Sequence, residues 1–332
     1  MRSNVAIIAL ASVLQASVSF ARSAAAGDSF RKNDEPRKYK TEEFIIDSFK
    51  LEGAYPAMTG PTKKKYVNLK ASVDAKYLWV KGVEVEVFSE SKKKEHLSLL
   101  CHAWITLGDK SNYAHSNEGL LTISEGMGLS LFPKGYGMYI ENSPKNDIEL
   151  LAQVLNDNPH FKKNLGYKFR ITYLEDKSNT PSLLTPLKQF SMSAVGPAVQ
   201  FKDGEMCQAD GNSSEGQAVH FLVPPGRHKF SRIYPKGSFS EDTSIHFIKV
   251  HLHQYGQSIS LVDKTAKKVL WQGHAKYDKN QIESVDYYSS SEGIKVFANH
   301  DYEIVSEYWN KSGKNADGMA VLRMYREVSK SN

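Results

Sequence analysis

The apolar residues of this chain come in short runs that alternate with polar ones, and they seldom recur at helical spacing. Tyr77 to Val80, Val83 to Phe88, Leu97 to Leu107, Phe169 to Tyr173, His246 to His253, Ser258 to Val262, Ile294 to Phe297 and Ala320 to Tyr325 are rich in β-branched and aromatic residues. Gly, Asn, Asp and Pro turns separate them. Successive side chains of a strand point to opposite faces, so this pattern predicts strands with one face buried. Helix is scarce, and Ile148 to Val154 is the best short candidate. The expected fold is all-β, with two tandem antiparallel β-sandwich domains of jelly-roll-like form. The turn-rich stretch 175–182 (EDKSNTPS) divides the body into pieces 41–180 and 181–330, each of ordinary domain size.

The N-terminus reads as a secretory signal. Arg2 precedes an apolar run from Val5 to Phe20, and small residues follow as far as Ala26. Residues 1–26 are therefore expected to be cleaved, 27–40 to form a polar leader, and the mature protein to be secreted, periplasmic or extracellular. No later segment reads as a membrane span. The net charge of +6 is spread along the chain, which gives no reason to expect nucleic acid. With only Cys101 and Cys207, the fold must rest on its own core, and the sequence leaves open whether the two pair.

Hydrolase elbows, phosphate loops, His-Glu-x-x-His and paired Cys-x-x-Cys are absent. The remaining chemical signal is His251-Leu-His253, whose imidazoles sit two residues apart on a strand and so share a face. The third ligand is open. A cupin glutamate is missing, because Gln254-Tyr-Gly-Gln257 follows the second histidine. His274 would complete a three-histidine zinc site, and Met319 a site able to cycle between Cu(I) and Cu(II). His220, His228 and His246 flank the Pro-Pro-Gly segment and could support the ligands of such a site from behind.

Val223-Pro-Pro-Gly226, Lys249 to Gly256, Tyr308-Trp-Asn310 and Gly318-Met319 leading into Leu322 to Tyr325 together resemble the C-terminal domain of the copper type II, ascorbate-dependent monooxygenases. The resemblance implies a copper site at His251, His253 and Met319. It also implies an external reductant such as ascorbate, and a small-molecule or peptide substrate touched by Lys249 and Arg323. Leu99 to Gly108 resembles the family's second copper segment. Cys101 and Leu155 stand where that family has histidines, so a second ion would rest on Cys101 and His102, with His115 or His160 recruited. The expectation is an exported copper protein that activates dioxygen at one His2Met centre. The alternatives are a non-catalytic copper-handling protein with the same ligands, or a carbohydrate- or protein-binding double sandwich.

Overall fold

A computed structural model describes residues 39–328, except for 56–58, 107–119, 144–146, 157, 159, 198–216 and 279–280. The expected signal peptide, His115 and Cys207 lie outside the described residues. The first half contains β1 (Lys40–Leu51), β2 (Thr62–Val67), β3 (Tyr77–Ser89), β4 (Leu100–Thr106), β5 (Leu120–Ser124), β6 (Leu129–Leu131), β7 (Tyr136–Glu141), β8 (Ile148–Val154) and β9 (Lys163–Asp176). In the second half are β10 (Thr185–Ser193), β11 (Gly196–Pro197), β12 (Gln217–Ala218), β13 (His220–Val223), β14 (Gly226–Tyr234), β15 (Thr243–Leu252), β16 (Gly256–Asp263), β17 (Lys268–Asp278), β18 (Gln281–Val285), β19 (Tyr288–Val296), β20 (Tyr302–Asn310) and β21 (Ala316–Glu327). Among the described residues the only helix is a single 3₁₀ turn at Leu97–Leu99, and no helix is long and apolar enough to cross a membrane.

The chain is all-β and built from antiparallel β-sandwiches, as the alternation predicts. Val83, Val85 and Val87 of β3 are buried, while Glu84 and Glu86 face outward and bind Arg170 of β9 at 3.1 and 3.0 Å. The helix expected at Ile148 to Val154 is instead strand β8, paired with β2 on one side and β4 on the other. Ile148, Leu150, Ala152 and Val154 follow period two, and burial of both strand faces fills the positions between them with apolar side chains that mimic a helical run.

One large sheet runs through both halves in the order β1-β9-β3-β7-β10-β21-β15-β19. Its halves meet where β10 pairs in parallel with β7 at Thr185 and Tyr136. In the first half this sheet packs on the four-stranded sheet β2-β8-β4-β5, with Val83, Phe169, Ile105 and Leu150 between them. In the second half it packs on the five-stranded sheet β14-β20-β16-β17-β18, around Val250, Leu322, Ile259 and Ile304.

β15 is buried on both faces. Ile248, Val250 and Leu252 point into the second core, whereas Phe247 belongs to the first and packs edge-on against Phe132 at 5.4 Å. This junction is tight at Gly126, where φ is +74° and an added Cβ would come within 2.6 Å of Ile282. The face of β15 and β21 turned toward the first half also carries the polar residues singled out in the sequence.

Candidate metal centre

On β15, Lys249 and His251 alternate with Val250 and Leu252, and so point toward β4 and β5. His253 is the first residue past the strand. Its backbone N–H still donates to the Met319 carbonyl at 3.0 Å, which holds it in sheet register before the turn at Tyr255, where φ is +72°. On the adjoining β21, Asp317, Met319, Val321 and Arg323 share the same face by period two. β13 flanks the other side, and His220 lies opposite Met319. Three neighbouring strands thus deliver His220, Met319 and His253 in one row, with Asp317 beside them.

The carboxylate of Asp317 gathers the two histidines. His253 Nδ1 lies 2.8 Å from Oδ2 and His220 Nδ1 lies 3.3 Å from Oδ1. Each of the three residues offers one ligand atom, and these atoms all fall within 4.8 Å of one another. Burial pushes the Asp317 carboxyl up, but the charge and hydrogen bonds of His253 and His220 outweigh it and hold the group well below the usual carboxylate range. An ionised carboxylate between two imidazoles is an acceptor-only group facing two bases, a donor set that suits a divalent cation.

The cluster extends toward the first half as a file of rings. The His253 ring lies 5.0 Å from that of His251 and perpendicular to it, the His251 ring lies 4.6 Å from that of His102, and His102 stacks on Trp104 at 5.3 Å. Burial, followed by the nearby His253, pushes His102 down to about 3, and burial with His102 drives His251 down as well. Both rings are therefore neutral at neutral pH. Neither ring nitrogen of His251, nor Nε2 of His253, has a hydrogen-bond partner, although all three are buried. Such atoms cost about 1–3 kcal/mol each when left unsatisfied.

The sequence expectations fare unevenly against this geometry. The two strand histidines do share a face and lie side by side, with His251 6 % and His253 7 % exposed. Met319 lies in the row, and beside it His220, His253 and Asp317 each bring one ligand atom within 4.8 Å of the others. The ring of His102 packs on that of His251 across the junction. Its Nδ1 lies 3.1 Å from the sulfur of Cys101, and His160 is exposed. His274 lies on β17 with its side chain 57 % exposed beside Asp286, which removes the three-histidine zinc alternative. Lys249 is 1 % exposed and donates to the Thr122 carbonyl at 2.7 Å, and Arg323 donates to Ser191 Oγ at 2.9 Å. Lys249 is thus closed off from an outside substrate. Asp317 was missed by sequence reasoning, yet it stands two residues before Met319 in a strand-like run, and that spacing marks it as sharing Met319's face.

No family model matches the chain, and no curated protein matches it. Among solved structures it is similar to the STIV MCP, from a Sulfolobus turreted icosahedral virus, at 8 % identity with a TM-score of 0.39, over 88 % of this chain and 97 % of that one. It is also similar to VP54 of PBCV-1, at 9 % identity and a TM-score of 0.34, over 91 % of this chain and 98 % of that one. A third similar structure, of the Macrobrachium rosenbergii nodavirus, has 10 % identity and a TM-score of 0.22, over 99 % of this chain and 98 % of that one.

These similarities fall on virus proteins and not on copper monooxygenases. The cavity beside His102 and His251 holds about one water molecule, whereas small-molecule sites are of the order of 300–1,000 Å³. The expectation of a dioxygen-activating monooxygenase is corrected accordingly: among the described residues, His251, His253 and Met319 are all buried, and the cavity at His251 is no larger than a water molecule.

Proposed function

We propose that the chain is an exported, metal-binding double β-sandwich protein that holds one zinc ion at His220, His253 and Asp317, with the ion serving binding and stability rather than turnover. The observation that carries this reading is the convergence of two imidazoles and one ionised carboxylate from β13, β21 and the exit of β15. Nitrogen and oxygen donors suit zinc, three of them leave a fourth tetrahedral position for water, and the burial of both histidines favours binding over turnover. The buried nitrogens around them indicate a site whose polar groups are incompletely satisfied by the protein alone.

Zinc bound there would tie β13 to β21 and fix the turn that follows β15. The double sandwich then presents its outer sheet faces as a scaffold. Thermal unfolding of the full chain with added zinc and with a chelator tests this. Zinc should raise the midpoint in the parent protein, and Asp317→Asn should abolish the rise. A rise that survives Asp317→Asn but is lost in Met319→Leu would transfer the site to a thioether ligand and contradict the reading.

A further inference from the structure

A strand at the edge of a sheet carries N–H and C=O groups ready to pair with another chain, and this molecule treats its edges unequally. On β1 the lysines of β2 cap these groups: Lys63 Nζ donates to the Asp47 and Ser48 carbonyls, each at 2.9 Å, and Lys65 Nζ to that of Ile45 at 3.0 Å. The edge of β18 is taken by the first half, since the Ile282 N–H donates to Glu125 Oε1 and the Val285 N–H to the Gly126 carbonyl, both at 3.3 Å. β14 is the outermost strand of the five-stranded sheet and runs nine residues in unbroken register with β20. The Trp309 N–H donates to the Tyr255 carbonyl at 2.9 Å, away from β14, so its register partner Arg227 also turns its backbone polar groups away from the shared ladder. By period two the same holds for Lys229, Ser231 and Ile233. All four are exposed, Ile233 by 59 %, and among the described residues no strand takes up their N–H and C=O groups.

This open edge is also of one sign. β14 carries Arg227, Lys229 and Arg232 and no acid. Arg227 and Lys311 lie over the Trp309 ring at 4.1 and 3.6 Å, which fixes their charges beside the edge, and Lys229 stands opposite Glu307 without forming an ion pair with it. We infer that the outer edge of β14 binds an extended acidic peptide segment of another protein by strand addition. Main-chain hydrogen bonds to Arg227, Lys229, Ser231 and Ile233 hold the segment, and carboxylates on its outward face meet the two basic side chains. A second copy of this chain fits the edge poorly, because pairing β14 with β14 sets three cations on each of two adjoining strands. The inference does not depend on the metal centre.

The test is fluorescence anisotropy of the full chain at low salt with a labelled peptide of the length of β14 that alternates Thr and Glu, and with a Thr–Lys peptide as control. The Thr–Glu peptide should bind saturably and the Thr–Lys peptide should not. Lys229→Glu should weaken binding by about tenfold. Ser231→Pro removes an N–H that faces outward and spares the ladder to β20, so it should abolish binding while leaving the urea midpoint close to that of the parent. Should that variant fail to fold, a Thr–Glu peptide N-methylated at each glutamate replaces it: the donors that face β14 are then gone, and the parent protein should not bind it. No saturable binding, equal binding of the Thr–Glu and Thr–Lys peptides, or binding that survives Ser231→Pro or N-methylation would overturn the proposal. Self-association of the parent in sedimentation velocity that Ser231→Pro abolishes would give the edge to a second copy and overturn it as well.

Discussion

At the scale of single residues, Asp317 organises the candidate centre, because its one carboxylate meets two histidines that the chain separates by 33 positions, from 220 to 253. Asp317→Asn keeps the shape but gives up a charged acceptor. It is expected to lower stability by about 2–3 kcal/mol, measured by urea unfolding. Asp176 offers an independent check on how buried carboxylates hold this fold. Burial pushes it up, yet backbone N–H groups of Ser182 and Ser178 and the Trp79 indole outweigh that and set it at about 2, below the ordinary aspartate value of 3.8. A depressed carboxylate contributes stability that is fully present above about 3.8 and is lost as pH falls through about 2. Acid titration of unfolding should therefore show a loss in that window that Asp176→Asn removes. The histidine pair at 251 and 253 was legible in the sequence. His220 and Asp317 were not legible as ligands, because only strand pairing across β13, β21 and β15 brings them together.

At the scale of elements, period two identified most strands, since β-branched and aromatic residues on one face leave polar residues on the other. It failed at β8, whose burial on both faces erased the alternation. Close approaches between elements also escape a reading of pattern. A Cβ at Gly60 would lie 1.9 Å from the Val154 carbonyl oxygen, where the chain beside β2 runs against β8. Gly60→Ala is expected to destabilise the fold by about 1–3 kcal/mol or more, seen as a lower denaturant midpoint with an unchanged slope. Met319 sits on the polar face of β21, and the unbranched Met319→Leu exchange conserves volume. It should cost less than about 1.5 kcal/mol and leave zinc binding intact.

At the scale of the whole molecule, the break at 175–182 lies between β9 and β10, but the halves do more than follow one another. They share one sheet, and β15 serves both cores, so a polar seam of imidazoles, a lysine and an arginine is sealed between them. A sequence read as two tandem units contains no signal for such a seam, because its residues face one another across the junction. Local resemblance around His251 and Met319 pointed to an oxygenase for the same reason: it captures spacing along strands and not what covers them. Chelation of a metal in this seam is expected to lower the midpoint of the whole transition as one cooperative step, and calorimetry of the full chain would show it.

The most direct test of the central claim is metal stoichiometry of the purified full chain, by elemental analysis after zinc loading and dialysis, together with His220→Ala, Asp317→Ala and Met319→Leu. The account predicts one zinc per chain in the parent protein and in Met319→Leu, and a loss in the other two variants. Absence of bound zinc in the parent, or retention in Asp317→Ala with loss in Met319→Leu, would contradict it.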